Sequence, residues 1–196
     1  MILYIEALGS PSHPLPSSAW TAACPQFWGS YYGREQLRVG PLFDSRYSEA
    51  WVDFRGIEDA FVQSQGIDYF INSGRASESQ QTYAEANPGG WSGYGANLWG
   101  LSACDGPGVF TVTDARGQMR SFQDTAVTPA SGRVVPGVGR FDNQYLGIDQ
   151  GPILPMLENY RTGLVCSVMR GNSVMRTGLQ RAGFIGGWLA GAVALQ

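Results

Sequence analysis

The chain has 196 residues, 43% of them apolar and only 15% charged, with a net charge of -3. That length allows one sizeable core and does not require two domains, and the composition argues against disorder. Lysine is absent and the arginines are scattered from Arg34 to Arg181, so the clustered cations that a nucleic-acid backbone requires are missing.

Taken in chain order, Met1 to Pro11 lacks a basic leader and carries Glu6 within its apolar run, so it reads as the end of a helix and not as a signal peptide. Pro16-Ser17-Ser18 opens a short helix through Trp20 and Ala23 that Pro25 disturbs. From Tyr47 to Phe54 the apolar residues Tyr47, Ala50, Trp51 and Phe54 fall at i, i+3, i+4 and i+7, which predicts a helix. Ile57 to Gln65 continues helically. Gly66 to Ala86 is helical with a break expected near Gly74. Asn87 to Gly108 is a long glycine-punctuated loop with Trp91, Tyr94, Asn97, Trp99, Cys104 and Asp105. It is too aromatic for disorder and of a length usually kept for function. Val109 to Arg120 alternates as a hairpin would, whereas Asp124 to Arg140 reads as a linker. Helices close the chain, from about Gly151 to Met169 and from about Ser173 to Phe184. The 12-residue apolar run Phe184–Leu195 is too short to span a bilayer. The pattern is mainly α, with long loops gathered at one end of the helices.

Aromatic rings, glycine-rich loops and a few acids suit a neutral, hydroxyl-rich ligand, since flat rings cover apolar sugar faces and carboxylates and amides bind hydroxyls. The aromatic loop resembles a sugar-binding wall better than core filler. The three cysteines, 24, 104 and 166, have no CxxC spacing and His13 is the sole histidine, so neither a zinc site nor another cofactor is expected. Asp149 lies in Gly-Ile-Asp-Gln-Gly-Pro just ahead of a helix, where the helix dipole favours its charge. Spacing alone leaves it balanced between a capping residue and a general base. Glu49 and Asp53 are i, i+4 and share a helix face as two carboxylates, while Asp53 and Arg55, two apart, are expected to have separate partners. Glu158 and Arg161 can pair. Hydrolysis of a glycosidic bond needs two carboxyl groups, about 6.5–9.5 Å apart for inversion and about 5–5.5 Å for retention.

Several motifs then carry a resemblance: ALGSPSHPLP (7–16), PLFDSRYSEAWVDFRG (41–56), GIDYFINSGRA (66–76), ANPGGWSGYGANLWGLSACDGP (86–107) and YLGIDQGPILPMLENYRTG (145–163), with RAGFIGGWL behind it. In this order they resemble the glucoamylase-like (glycoamylase) family, which includes bacterial endo-β-1,2-glucanases and a domain of cyclic β-1,2-glucan synthases. The resemblance implies one domain over residues 1–196, part of an (α/α)6 toroid with an acidic sugar cleft, and metal-free, inverting hydrolysis of β-glucan. It implies Asp149 as general base; Glu6 and Glu49 are the candidates to stand in for the second carboxyl, Glu49 being the further catalytic candidate, and Trp91, Tyr94, Trp99, Asp105, Asp53, Arg55, Tyr145 and Gln150 are expected as substrate contacts. The family's general acid is a Glu in an Asn-Glu-Ala run just before the segment matching Met1–Tyr4. Glu49 stands where relatives carry His, Pro155 replaces an aliphatic residue, and Gly108–Asn143 is compressed. The expectations are therefore a β-glucan partner, no membrane span, and either hydrolysis or carbohydrate binding by a catalytically incomplete fragment. An incomplete toroid would also leave an apolar flank open to self-association. Intact relatives are expected to be exported, and this chain's own location stays open.

Overall fold

A computed structural model describes residues 1–23, 27–38, 40–91, 93–100, 110–113, 116–122, 131–135, 139–141 and 147–191. The chain is mainly helical. Its first helix, α1 (Ile2–Gly9), buries Ile5, Leu8 and Gly9, one stripe at i, i+3 and i+4. That stripe packs against a helix from the far end of the chain, α9 (Ser173–Arg181), which buries Met175, Gly178 and Leu179. Asn172 caps α9 by accepting from the amides of Val174 and Met175. The two backbones meet at glycines. A Cβ on Gly178 would lie 1.9 Å from the Ile5 carbonyl oxygen, and one on Gly9 would lie 1.9 Å from that of Val174.

Helix α2 (Ser18–Ala23) brings Trp20 into the core beside Phe54, Tyr69 and Phe184, in edge and tilted ring contacts 5.4–6.2 Å between centres. Strands β1 (Trp28–Tyr31) and β2 (Arg34–Leu37) then form an antiparallel hairpin around Tyr32-Gly33. Both turn residues have positive φ, as a type I′ turn demands. The hairpin lies on α5 (Tyr69–Ala86), and polar groups make that junction: the Leu37 amide donates to Asn72, Gln36 to Ser79, and Arg75 to the Glu35 carbonyl. Of the buried serines of α5, Ser79 serves this junction, whereas Ser73 donates to the Ser45 carbonyl and Ser77 accepts from Arg46.

Helix α5 runs unbroken through Gly74, contrary to the break expected there. A Cβ at Gly74 would meet nothing within 4 Å. Its absence therefore opens no kink, and the Asp68 cap and the Asn87 left-handed end, at φ 38°, hold the helix at both termini. The expected helix over Tyr47–Phe54 is also corrected. Helix α3 (Leu42–Arg46) runs into a single 3-10 turn, Tyr47–Ala50, and the chain beyond is not helical. Val52, Asp53 and Phe54 are all buried there, so the segment is threaded through the interior instead of lying on it with one face. Helix α4 (Ala60–Ser64) is capped by Asp59, whose other oxygen accepts from Trp20 Nε1 at 2.6 Å and Tyr69 Oη at 2.8 Å.

Strands β3 (Phe110–Thr113) and β4 (Met119–Phe122) form the expected hairpin. A second one, β5 (Ser131–Val135) with β6 (Gly139–Phe141), occupies the stretch expected as a linker, because backbone pairing does not require an alternating apolar pattern. The helix expected from about Gly151 to Met169 is divided into α7 (Ile153–Arg161) and α8 (Leu164–Arg170), and a short α6 (Gly147–Gln150) precedes them. The break falls at Gly163, which takes φ +70°. Among the described residues no helix is long and apolar enough to cross a membrane.

Candidate active site

Helix α7 positions the chemistry. Asn159 fastens it by donating to the Ala50 carbonyl at 2.9 Å and accepting from the Cys166 amide at 2.9 Å. One side of α7 then faces a groove of about 720 Å³ with Tyr47, Trp51, Ile148, Pro152 and Glu158 in its walls. The other side closes a smaller cavity of about 220 Å³ shared with Glu49, Asp53, Arg55, Phe70 and Cys166.

The smaller cavity holds a tight charge cluster. Arg55 Nε donates to Asp53 Oδ1 at 2.7 Å and its Nη2 to Oδ2 at 2.9 Å, so the expectation of separate partners is corrected. A bend in the non-helical backbone folds the two side chains onto each other, and the Arg55 amide also donates to Oδ1 at 3.2 Å. Arg170 from α8 is the second partner of Asp53 and stacks over Trp188, whose indole donates to the Asp53 carbonyl. Burial by itself would raise the Asp53 carboxyl, but hydrogen bonds from Arg55 and the charges of Arg55 and Arg170 outweigh it and hold the group below the usual carboxylate range.

Glu49 is the opposite case. It is only 8% exposed, and neither carboxyl oxygen has a donor, since the neighbouring Ser73 hydroxyl donates to the Ser45 carbonyl. Burial pushes it up to about 7 against the partial offsets of the nearby Ser73 hydroxyl and of Arg46, with Asp68 and Asp53 adding repulsion. The sequence places Glu49 and Asp53 as an acidic pair, and the structure puts both on one cavity with opposite protonation behaviour.

Asp149 is half-buried on the short α6, and Gln150 beside it is exposed. The residue at the N-cap position of α7 is Pro152, three residues beyond Asp149. Gly147, Ile148 and Gly151, which flank Asp149, line the larger groove. In the aromatic loop Trp91 is buried, Tyr94 packs its ring on Tyr83 with a buried hydroxyl, and Trp99 stands out on the surface. Asp105, Tyr145, Cys24 and Cys104 lie outside the described residues. Glu158 and Arg161 pair at 3.9 Å. Arg170 escaped sequence reasoning because nothing local links it to Asp53, whereas Trp51 was seen as part of a helical stripe but not as a groove wall. Among the described residues no three His, Cys, Asp or Glu side chains converge as a metal site requires.

A profile of the glycoamylase family, described as "Putative glucoamylase", matches residues 1–138 and 119–173. The chain belongs to the glycoamylase family. A curated relative, the exo β-1,2-glucooligosaccharide sophorohydrolase (non-reducing end) of Parabacteroides distasonis, is 27% identical over 188 residues, covering 78% of this chain and 25% of the relative. The crystal structure of a "putative glucoamylase" from Bacteroides uniformis superposes with a TM-score of 0.68 at 28% identity, over 96% of this chain and 54% of the other. The endo-β-1,2-glucanase of Chitinophaga pinensis, solved with sophorotriose and glucose, shares the fold with a TM-score of 0.64 at 24% identity, over 94% of this chain and 54% of that one. This glycoamylase chain thus has a mainly helical fold that corresponds to part of the α/α toroid. It spans about half the length of the solved relatives and a quarter of the curated one.

Proposed function

We propose that this chain forms part of the sugar cleft of a glycoside hydrolase acting on β-glucan, β-1,2-linked in particular. The observation that carries this reading is the likeness to a β-1,2-glucooligosaccharide hydrolase over 78% of the chain. The groove beside α6 supports it, because the rings of Tyr47 and Trp51 offer flat faces for a sugar and Glu158 offers an acceptor for hydroxyls. Asp149 is assigned as general base. It takes the proton of a water whose oxygen attacks the anomeric carbon, while a protonated carboxyl on the opposite side gives its proton to the departing glycosidic oxygen. Configuration is inverted. Exposed Trp99 and Gln150 are assigned as sugar contacts at the rim, and Asp53 and Arg55 shape the neighbouring cavity.

A carboxyl that holds its proton to about 7, as Glu49 does, meets the electronic need of a general acid. Both its oxygens are nevertheless closed off from solvent. That observation favours a second reading, in which this chain holds carbohydrate without cutting it. Incubation with β-1,2-glucooligosaccharides, followed by proton NMR of the released anomer, separates the two. Cleavage with inversion that Asp149→Asn abolishes, with the melting temperature kept, supports hydrolysis with Asp149 as base. Full turnover by the variant would remove Asp149 from the mechanism, and binding without cleavage would leave the second reading.

The outward face of α7 and α8 adds a further property. Ile153, Leu154, Leu157, Tyr160, Leu164 and Val168 are all exposed, Leu154 at 74% and Tyr160 at 90%. We propose that this stripe makes the chain self-associate.

A further inference from the structure

Besides α6, three segments wall the larger groove, and one side chain joins them. The 3-10 turn with the residue after it supplies Tyr47 and Trp51, α7 supplies Leu154, Pro155 and Glu158, and α8 supplies Val165. Trp51 follows Ala50, whose carbonyl accepts from the Asn159 amide nitrogen at 2.9 Å. Glu158 precedes Asn159 itself. Val165 precedes Cys166, whose amide donates to the Asn159 oxygen at 2.9 Å. Each wall therefore has a groove residue directly beside a group that Asn159 holds or belongs to. The residue type fits this task. A primary amide offers a donor and an acceptor from one planar fork, so it can hold a carbonyl on one side and an N–H on the other. Gly163, at the N-cap of α8, has no side chain to accept from the first turn, and Asn159 reaches over from α7 to do so. Leucine would suit α7 better and would hold neither neighbour.

From this geometry we infer that Asn159 is the positioning residue of the groove: it fixes the spacing of the Trp51, Glu158 and Val165 walls and thereby the affinity for a glucan, without touching the sugar. Asn159 lines the smaller cavity with Glu49, Asp53, Arg55 and Cys166, and not the groove itself. Its effect on a ligand must therefore pass through the neighbours it holds. The inference rests on the reading of the groove as a β-glucan cleft and says what sets its width.

Asn159→Asp separates positioning from folding. Its carboxyl can accept from Cys166 in either protonation state, but only the protonated form can donate to the Ala50 carbonyl. Low pH therefore restores the link and high pH breaks it, whereas Asn159→Leu lacks it throughout. Each variant is compared at pH 4.5 and pH 8 with the chain that keeps Asn159, so the titration of Glu49 and the charges of Asp53 and Arg55 are common to both. All carry Asp149→Asn to prevent turnover. Calorimetric titration with a β-1,2-linked glucotetraose should show Kd raised about fivefold or more in Asn159→Asp at pH 8 and close to the Asn159 chain at pH 4.5. In Asn159→Leu it should be raised at both. The fluorine NMR signal of 5-fluorotryptophan at Trp51, recorded without sugar, should move in the same pattern. An unchanged Kd in both variants at pH 8, or a change in Asn159→Asp that pH leaves alone, would overturn the inference and leave the glucan reading standing. If none of the chains binds the glucan, that reading fails. The Trp51 signal then still decides whether Asn159 spaces the walls, and a signal that neither variant moves refutes it.

Discussion

Arg170 reaches across 117 residues of sequence to share the Asp53 carboxylate with Arg55. Asp53 is buried while both arginines keep partial contact with solvent, so the cluster's dependence is asymmetric. Removing Asp53 leaves two guanidinium groups with their main acceptor gone, whereas removing Arg170 leaves Asp53 its three bonds from Arg55. Asp53→Ala should therefore cost about 3 kcal/mol and Arg170→Met less than half of that, measured by urea unfolding. The Asp53 carboxyl is held low in the fold, so its contribution is present above the unfolded value and fades as pH falls through the folded one. Equal losses for the two variants would contradict this hierarchy.

Glu49 carries the opposite linkage. Its carboxyl rises from 4.5 to about 7 on folding, so between those values the folded chain holds a proton that the unfolded chain has lost. Stability must decline as pH rises through that window and level off above it, by at most about 3 kcal/mol. Glu49→Gln abolishes the slope and should be more stable than the natural chain at pH 8. Parallel stability profiles for the two proteins from pH 4.5 to 8 would show that Glu49 does not hold its proton.

The α1–α9 crossing depends on absent side chains. Gly178→Ala would place a methyl 1.9 Å from the Ile5 carbonyl oxygen, forcing the helices apart. A loss of about 2–3 kcal/mol is expected. Gly74→Ala, in the middle of α5 with open space around it, is the control and should gain up to about 1 kcal/mol from helix propensity. A neutral Gly178→Ala would mean that the crossing is looser than described.

The exposed α7–α8 stripe predicts concentration-dependent association in sedimentation velocity. Leu154→Glu with Val168→Glu places charges on two exposed positions, so the chain should turn monomeric without loss of helicity. If the double variant sediments as the natural chain does, the stripe is not the contact.

Much of the fold can be read from local chemistry. The short helix at Trp20 and the hairpin expected over Val109–Arg120 each rest on interactions within a few residues, and sequence spacing reports those, whereas the Asp59 and Asp68 caps emerged only from the structure. The misread elements share a different cause. Tyr47–Phe54 has helical spacing, yet the need to bury Val52, Asp53 and Phe54 together overrides it. Gly74 looks like a breaker, yet the Asp68 cap and the left-handed end at Asn87 hold one helix across it.

The candidate site divides in the same way. Sequence by itself determined the mainly helical class, the family motifs and the acids at 49, 53 and 149, because residue type and short-range order carry them. Only the tertiary structure decided what those acids are. Asp53 is ion-paired and Glu49 is pushed toward neutrality although the two lie four residues apart, because an arginine from α8 reaches one and no donor reaches the other. A carboxyl's charge depends on its surroundings in space, and the chain brings those surroundings from 117 residues away.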